Sequence, residues 1–260
     1  AQRRERPNIV FVLSDDHSAP YLGCYGDPAV RTPNIDQFAS EGMRFDRAFT
    51  AAPQCVPSRT AFLTGRSPVA ARVGRFSTPL APDVITGPEL LRASGYYTGI
   101  LGRGFHLDGP GAAQPLSKLL DDMGMKTFAR RVDYLDPGSG RPQRRAKIKE
   151  FFDGRPADKP FFLWANFSDP HHVWDAPPAD ASKLRWPKHL PDLPGMREDL
   201  AKYCGEITRM DEEFQWVVDA LKERKAYDNT LFVFMGDNGM ALPHGKGSLY
   251  DPGLNVPMIA

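Results

Sequence analysis

Four apolar runs of strand length, each ending in polar or titratable residues, set the tightest limit on what this chain can fold into. Asn8-Ile9-Val10-Phe11-Val12-Leu13 runs into Ser14-Asp15-Asp16-His17, and Tyr96-Tyr97-Thr98-Gly99-Ile100-Leu101 into Gly102-Arg103-Gly104-Phe105-His106. Phe161-Phe162-Leu163-Trp164-Ala165-Asn166-Phe167 ends in Ser168-Asp169-Pro170-His171-His172, and Thr230-Leu231-Phe232-Val233-Phe234-Met235 in Gly236-Asp237-Asn238-Gly239. Apolar, β-branched runs of this kind read as strands buried on both faces. The connections between them are helical or long, the pattern of an α/β fold with a largely parallel central sheet flanked by helices on both faces. Ligands of such sheets collect outside the carboxyl ends of the strands, so the four polar clusters are expected to share one crevice.

The helices between the runs are legible to different degrees. The clearest spans Arg197 to Lys225, where Leu200, Tyr203, Ile207, Met210, Phe214, Val217, Val218 and Leu221 recur at spacings of three and four; Cys204 belongs to the same core stripe. Thr32 to Ala39 reads as a capped helix closed by Gly42, and Gly87 to Gly95 as a short helix ending at glycine. Residues 107–160 say less. Their basic run of Arg141, Arg144, Arg145, Lys147 and Lys149 reads as a solvated helix face, the sharper alternative being a rim that attracts a polyanion. The Pro-rich segment from Val173 to Gly195, with Trp174 and Trp186, suits either an ordered loop over a pocket or a surface meander.

Bulk properties exclude more than they assign. With 33 basic against 32 acidic residues the net charge is +1, which gives no overall pull toward nucleic acid or a membrane surface. No apolar run is long enough to span a membrane, and the polar start Ala1-Gln2-Arg3-Arg4-Glu5-Arg6 has no signal-peptide core. The three cysteines are too scattered for a disulfide framework.

One cysteine stands in a distinctive setting. In Pro53-Gln54-Cys55-Val56-Pro57-Ser58-Arg59-Thr60-Ala61-Phe62-Leu63-Thr64-Gly65-Arg66, Pro57 suits a first helical position and Gly65 a helix end, which puts Cys55 at a helix N-terminus. Free backbone N–H groups there favour an anion, either a thiolate or the negative group of a substrate. A buried structural thiol beside a tight turn is the other reading of the cysteine taken alone. The Asp15-Asp16 pair is equally unusual, because adjacent carboxylates repel unless a cation lies between them, and capping explains one aspartate better than two. Asp15, Asp16, Asp237 and the Asn238 carbonyl are hard oxygen donors, suited to calcium or magnesium rather than zinc.

The Cys-x-Pro-Ser-Arg followed by Leu-Thr-Gly-Arg resembles, position for position, the signature of the formylglycine-dependent sulfatases of the alkaline phosphatase superfamily. The resemblance implies that Cys55 is converted to formylglycine by a formylglycine-generating enzyme, and that the hydrate of this aldehyde is the nucleophile. It implies a calcium site, with magnesium as the alternative ion, made by Asp15, Asp16, residue 55, Asp237 and Asn238. Arg59, His106 and His171 are then catalytic, and Arg103, Lys246 and His171 contact the sulfate. In this scheme His171 protonates the departing group and His106 takes a proton from the second hydroxyl. Arg103 stands where the family usually has lysine; it keeps the charge, adds bidentate geometry and cannot lose its proton. Asp-Pro-His, Leu190-Pro191-Asp192, Arg209-Met210-Asp211 and Leu249-Tyr250-Asp251-Pro252-Gly253 look most like the heparan N-sulfatase (sulfamidase) branch, which implies a sulfated saccharide or glycosaminoglycan with N- or O-sulfate undecided. A periplasmic, secreted or lysosomal setting goes with that branch. Family members continue past residue 260 into a smaller C-terminal domain, so residues 1–260 are expected to be an N-terminal catalytic domain, shortened relative to the family. A phosphonate or phosphate ester hydrolase built on the same motif is the nearest rival, and an inactive polyanion-binding module the rival from another class.

Overall fold

A computed structural model describes residues 6–76, 78–108, 114–136 and 138–260, apart from the side chains of residues 105, 106 and 114–117. The strands are β1 (Asn8–Ser14), β2 (Arg44–Phe45), β3 (Tyr97–Leu101), β4 (Tyr134–Asp136), β5 (Phe161–Asn166), β6 (Thr230–Gly236) and β7 (Met258–Ile259). They form one sheet in the order β2-β7-β6-β1-β5-β3-β4. The five strands from β6 to β4 are parallel, and β7 and β2 are antiparallel at one edge. The four strands expected from the sequence are its centre. The three extra strands are two or three residues long, too short for period or composition to reveal.

The helices are α1 (Pro33–Glu41), α2 (Cys55–Thr64), α3 (Gly87–Ala93), α4 (Gln114–Asp122), α5 (Phe128–Arg131), α6 (Arg141–Gly154), α7 (Met196–Glu223) and α8 (Asp251–Leu254). None of the described helices is long and apolar enough to cross a membrane. The side chains of β1 divide between the two faces of the sheet: Val10 and Val12 join a core with α1, α6 and α7, while Leu13 joins a second core with α2 and α5. That division explains the unbroken apolar run, since the alternation of a strand disappears when both of its faces are covered.

Three local expectations change. Thr32 does not cap α1; its hydroxyl meets Gly23 N and Asp36, and the first amides of the helix, Asn34 N and Ile35 N, donate to the Asp211 carboxylate on α7. Helix α2 begins at Cys55 itself, with Pro57 in its first turn, where a missing N–H costs nothing. The basic run keeps its expected solvated face at Arg145 and Lys149, is not a free cationic rim, and departs from expectation at Arg144. Arg144 is buried against Glu213 and near Asp136, Arg141 pairs with Glu212, Lys147 with Glu150 and Lys149 with Asp153, while Arg141 and Arg145 cover the Trp216 ring.

Helix α3 carries a capping box in which the Thr86 hydroxyl accepts from Glu89 N and the Glu89 carboxylate accepts from Thr86 N. Burial would raise the Glu89 pKa, but hydrogen bonds from Lys126, Thr86 and the fully buried Arg131 outweigh it and lower it from 4.5 to about 2. The folded state therefore prefers ionised Glu89, which contributes stability above pH 4.5 that is lost as pH falls toward 2. Glu89→Gln is expected to destabilise the fold by about 1 kcal/mol at neutral pH. In urea titrations the gap to the unsubstituted protein should close as the pH is lowered through that window.

Candidate active site

The crevice at the carboxyl ends of β1, β3, β5 and β6 is assembled from backbone first. Asp15 N donates to Asp169 O at 3.1 Å, Asp237 N to Ser14 O at 3.0 Å, and Asp16 N to the Asp237 carboxylate at 2.9 Å. The turns after β1, β5 and β6 are thus tied to one another. Asp16 adopts a left-handed φ of 63°, which aspartate tolerates better than most residues. From below, the α7 side chain Tyr203 donates to Asp16 O and accepts from Ser18 N, both at 3.1 Å, so the long helix holds the Asp15-Asp16 turn as well as the core.

Helix α2 delivers residues 55, 58 and 59 into this crevice. Cys55 Sγ lies 3.2 Å from Asp15 Oδ1 and 3.6 Å from Asp16 Oδ1. Ser58 Oγ donates to Asp237 O at 2.5 Å, fixing the helix to the end of β6. Arg59 is wholly buried: Nε donates to Asp237 Oδ2 at 2.9 Å, Nη2 lies 2.8 Å from the same oxygen and 3.4 Å from Asp15 Oδ2, and Nη1 donates to Asn166. Leu63 is buried and Gly65 closes the helix at φ 63°, its N–H on Ala61 O, while Arg66 is exposed. The second half of the signature therefore ends the helix, and only the first half reaches the crevice.

A second set of cations stands at the rim. Arg103 Nη2 lies 2.8 Å from Asp15 Oδ2, and Lys246 Nζ lies 2.7 and 2.9 Å from the two oxygens of Asp16. His171 Nε2 is 3.7 Å from Asp16 Oδ2. Gly102, at φ 67°, allows the chain to present Arg103: a Cβ there would sit 2.7 Å from Asn166 O and the Arg144 guanidinium. The His171 turn is held by Arg209, which donates to both Asp169 oxygens at 2.8 and 2.9 Å and pairs with Glu206 and Asp175. Asp15, Asp16, Cys55, Arg59, Arg103, His171, Asp237, Asn238 and Lys246 thus converge, and the His106 side chain lies outside the described residues. Sequence reasoning missed Asn166, Tyr203 and Arg209. A polar residue closing an apolar strand was the available signal for Asn166; Tyr203 looks like an ordinary core position, and Arg209 stood in the Arg209-Met210-Asp211 string with no role attached to it.

Charge is arranged unevenly. Burial alone would raise the Asp15 pKa, but Arg103 and Arg59 hold it well below the usual carboxylate range. Burial and the neighbouring Asp15 raise Asp16, and the same two causes push Asp237 up to about 7. Burial and the three carboxylates push the Cys55 thiol far above its ordinary value, so of the two anions that a helix N-terminus could favour, thiolate or substrate group, the thiolate is the disfavoured one. An unmodified Cys55 is a poor nucleophile here.

The residues fit a hard divalent cation. Ligand atoms of Asp15, Asp16, Cys55 and His171 lie within 4.8 Å of one another. The Asn238 side-chain oxygen is buried with no hydrogen-bond partner among the described residues, its amide donating instead to Asp16 and Gly239 O. A cation among these oxygens would relieve the repulsion that raises Asp16 and Asp237.

The family model "Sulfatase" matches residues 7–260. The chain belongs to the sulfatase family. It is 27% identical to human N-sulphoglucosamine sulphohydrolase over 289 aligned residues, covering 98% of this chain and 55% of the relative, and 43% identical to human arylsulfatase A over 317, covering 98% and 58%. The crystal structure of yidJ from Bacteroides fragilis superposes with a TM-score of 0.78 at 23% identity, over 100% of this chain and 69% of that one. This sulfatase chain spans a little over half the length of the curated relatives it matches.

Titration with a hard divalent cation checks the site. Asp237→Asn is expected to weaken binding of that cation about tenfold or more, read by calorimetry and by a smaller cation-dependent rise in unfolding temperature.

Proposed function

We propose that the protein hydrolyses a sulfate ester or N-sulfate on a sulfated saccharide, with residue 55 as formylglycine. The observation that carries this reading is the position of Cys55. It stands at the first residue of α2, 3.2 Å from Asp15, among three carboxylates, Arg59, Arg103 and Lys246, in a chain of the sulfatase family. The raised thiol pKa supports a modified residue, because neither thiolate chemistry nor disulfide exchange suits this environment. The formylglycine-generating enzyme would be the partner in maturation, and a periplasmic, secreted or lysosomal location belongs to the same reading.

Asp15, Asp16, Asp237 and Asn238, with residue 55, would hold calcium, or magnesium in its place. The cation supplies positive charge that makes a hydroxyl of the hydrated aldehyde more acidic. The chain's own groups do the rest. Arg59, locked by Asp237, Asp15 and Asn166, fixes the charge beneath residue 55. Arg103 and Lys246, each with 18% of its side chain exposed, face the oxygens of an entering sulfate and neutralise the charge that builds on them. His171, whose side chain is 30% exposed, turns Nε2 into the site, placed to protonate the departing oxygen or nitrogen. His106 is the group proposed to take up a proton when sulfate leaves. The buried floor keeps water from Arg59 and the carboxylates, so their fields act at full strength on the reacting group.

Cys55→Ala is expected to abolish turnover of an aryl sulfate, whereas His171→Ala should lower kcat by about 10²- to 10⁴-fold, least for substrates with acidic leaving groups. Retention of wild-type turnover by Cys55→Ala would sink the chemistry. An unmodified Cys55 peptide in mass spectra of protein from its native source would favour a binding module instead. Faster turnover of an aryl phosphonate than of an aryl sulfate would favour the phosphonate hydrolase reading.

A further inference from the structure

Two cavities of about 160 and 590 Å³ adjoin on the segments that follow Asp16 and flank Lys246, sharing His189 and Pro252 in their walls. The larger lies within the range of about 300–1,000 Å³ usual for small-molecule sites. None of the groups given roles above lines either cavity.

Their walls carry polar groups that the fold does not use. His189 lines both cavities, and its Nε2 is buried without a hydrogen-bond partner among the described residues. A buried orphan of this kind is uncommon, because its desolvation goes uncompensated unless something meets it. Arg185, in the smaller cavity, is exposed and has no carboxylate within ion-pair distance among the described residues, whereas Asp27 beside it is engaged by Ala29 N and Val30 N. Two aromatic side chains complete the walls. Trp186 is fixed by its N–H on Leu190 O and by Arg197 stacked over its ring at 4.7 Å. Tyr250 is 64% exposed and meets the His244 ring edge-on at 5.4 Å. A free guanidinium, an unsatisfied imidazole and two aromatic rings recognise a sugar ring carrying an anionic group.

We propose that this groove binds the saccharide unit next to the one that loses sulfate, with Arg185 and His189 taking its carboxylate or sulfate, and Trp186 and Tyr250 flanking its ring. The proposal rests on the sulfatase reading for the choice of a saccharide. Its test does not depend on turnover. The full chain is titrated calorimetrically with three tetrasaccharides that lack the scissile sulfate, carrying on the second unit a carboxylate, a sulfate or no charge. Binding of either charged tetrasaccharide, weakened about tenfold by Arg185→Ala and by Tyr250→Ala at unchanged unfolding temperature, is the expected result. The stronger of the two charged ligands names the anion. Equal affinity for the neutral tetrasaccharide, no binding, or variants that bind like the wild type would overturn the groove. Aryl sulfate turnover is measured in parallel. Its absence in the wild type would count against the proposed function, while the titration still decides the groove.

Discussion

The Arg59 guanidinium is the contact on which the rest of the site depends. It has no exposure to solvent, and it reaches Asp237 after β6, Asp15 after β1 and Asn166 at the end of β5 from a single side chain on α2. A buried cation is tolerable only when nearly all its donors are engaged, and removing one partner from such a pair typically costs about 3–5 kcal/mol. The ends of three strands are therefore not free to move apart. Arginine suits the post better than lysine, because a planar fork with five donors can serve three acceptors at fixed angles.

Around that contact the crevice has two tiers with different duties. The floor is dry: three carboxylates face Arg59 and the rim cations, and burial together with the repulsion from Asp15 appears as the raised Asp16 and Asp237. The rim is partly wet, with Arg103, Lys246 and His171 reaching in from three different loops. A group entering from solvent meets the cations first, which favours an anion, and then the residue at position 55. The high thiol pKa of Cys55 follows from the same arrangement, because the carboxylates that suit a cation are hostile to a thiolate.

One helix supports most of this from behind. Along α7 the apolar stripe packs against the sheet, while the polar side chains between serve other elements. Tyr203 holds the Asp15-Asp16 turn, Glu206 accepts from Asp175 N and Ala176 N, Arg209 clamps Asp169, Asp211 caps α1, and Glu213 meets Arg144. Burial pushes Glu206 up to about 7 and Glu213 to about 6. These partners come from sequence positions tens to nearly two hundred residues away, which is why no local pattern announces them.

The sequence by itself determined the four central strands and the identity of their polar ends. Unbroken apolar runs such as Val10 to Leu13 encode burial on both faces, and the Cys55 signature is a local string whose residues are adjacent in the chain. Tertiary structure decided everything that depends on distance. It made Arg144 a buried partner rather than part of a solvated face, replaced the Thr32 cap by Asp211, brought Asn166 under Arg59, and set around Cys55 the carboxylates that disfavour a thiolate. The physical reason is range. Burial periodicity and backbone preference act over a few residues and can be read in order, whereas the charge state of a group is set by neighbours that only the folded chain brings within a few ångströms.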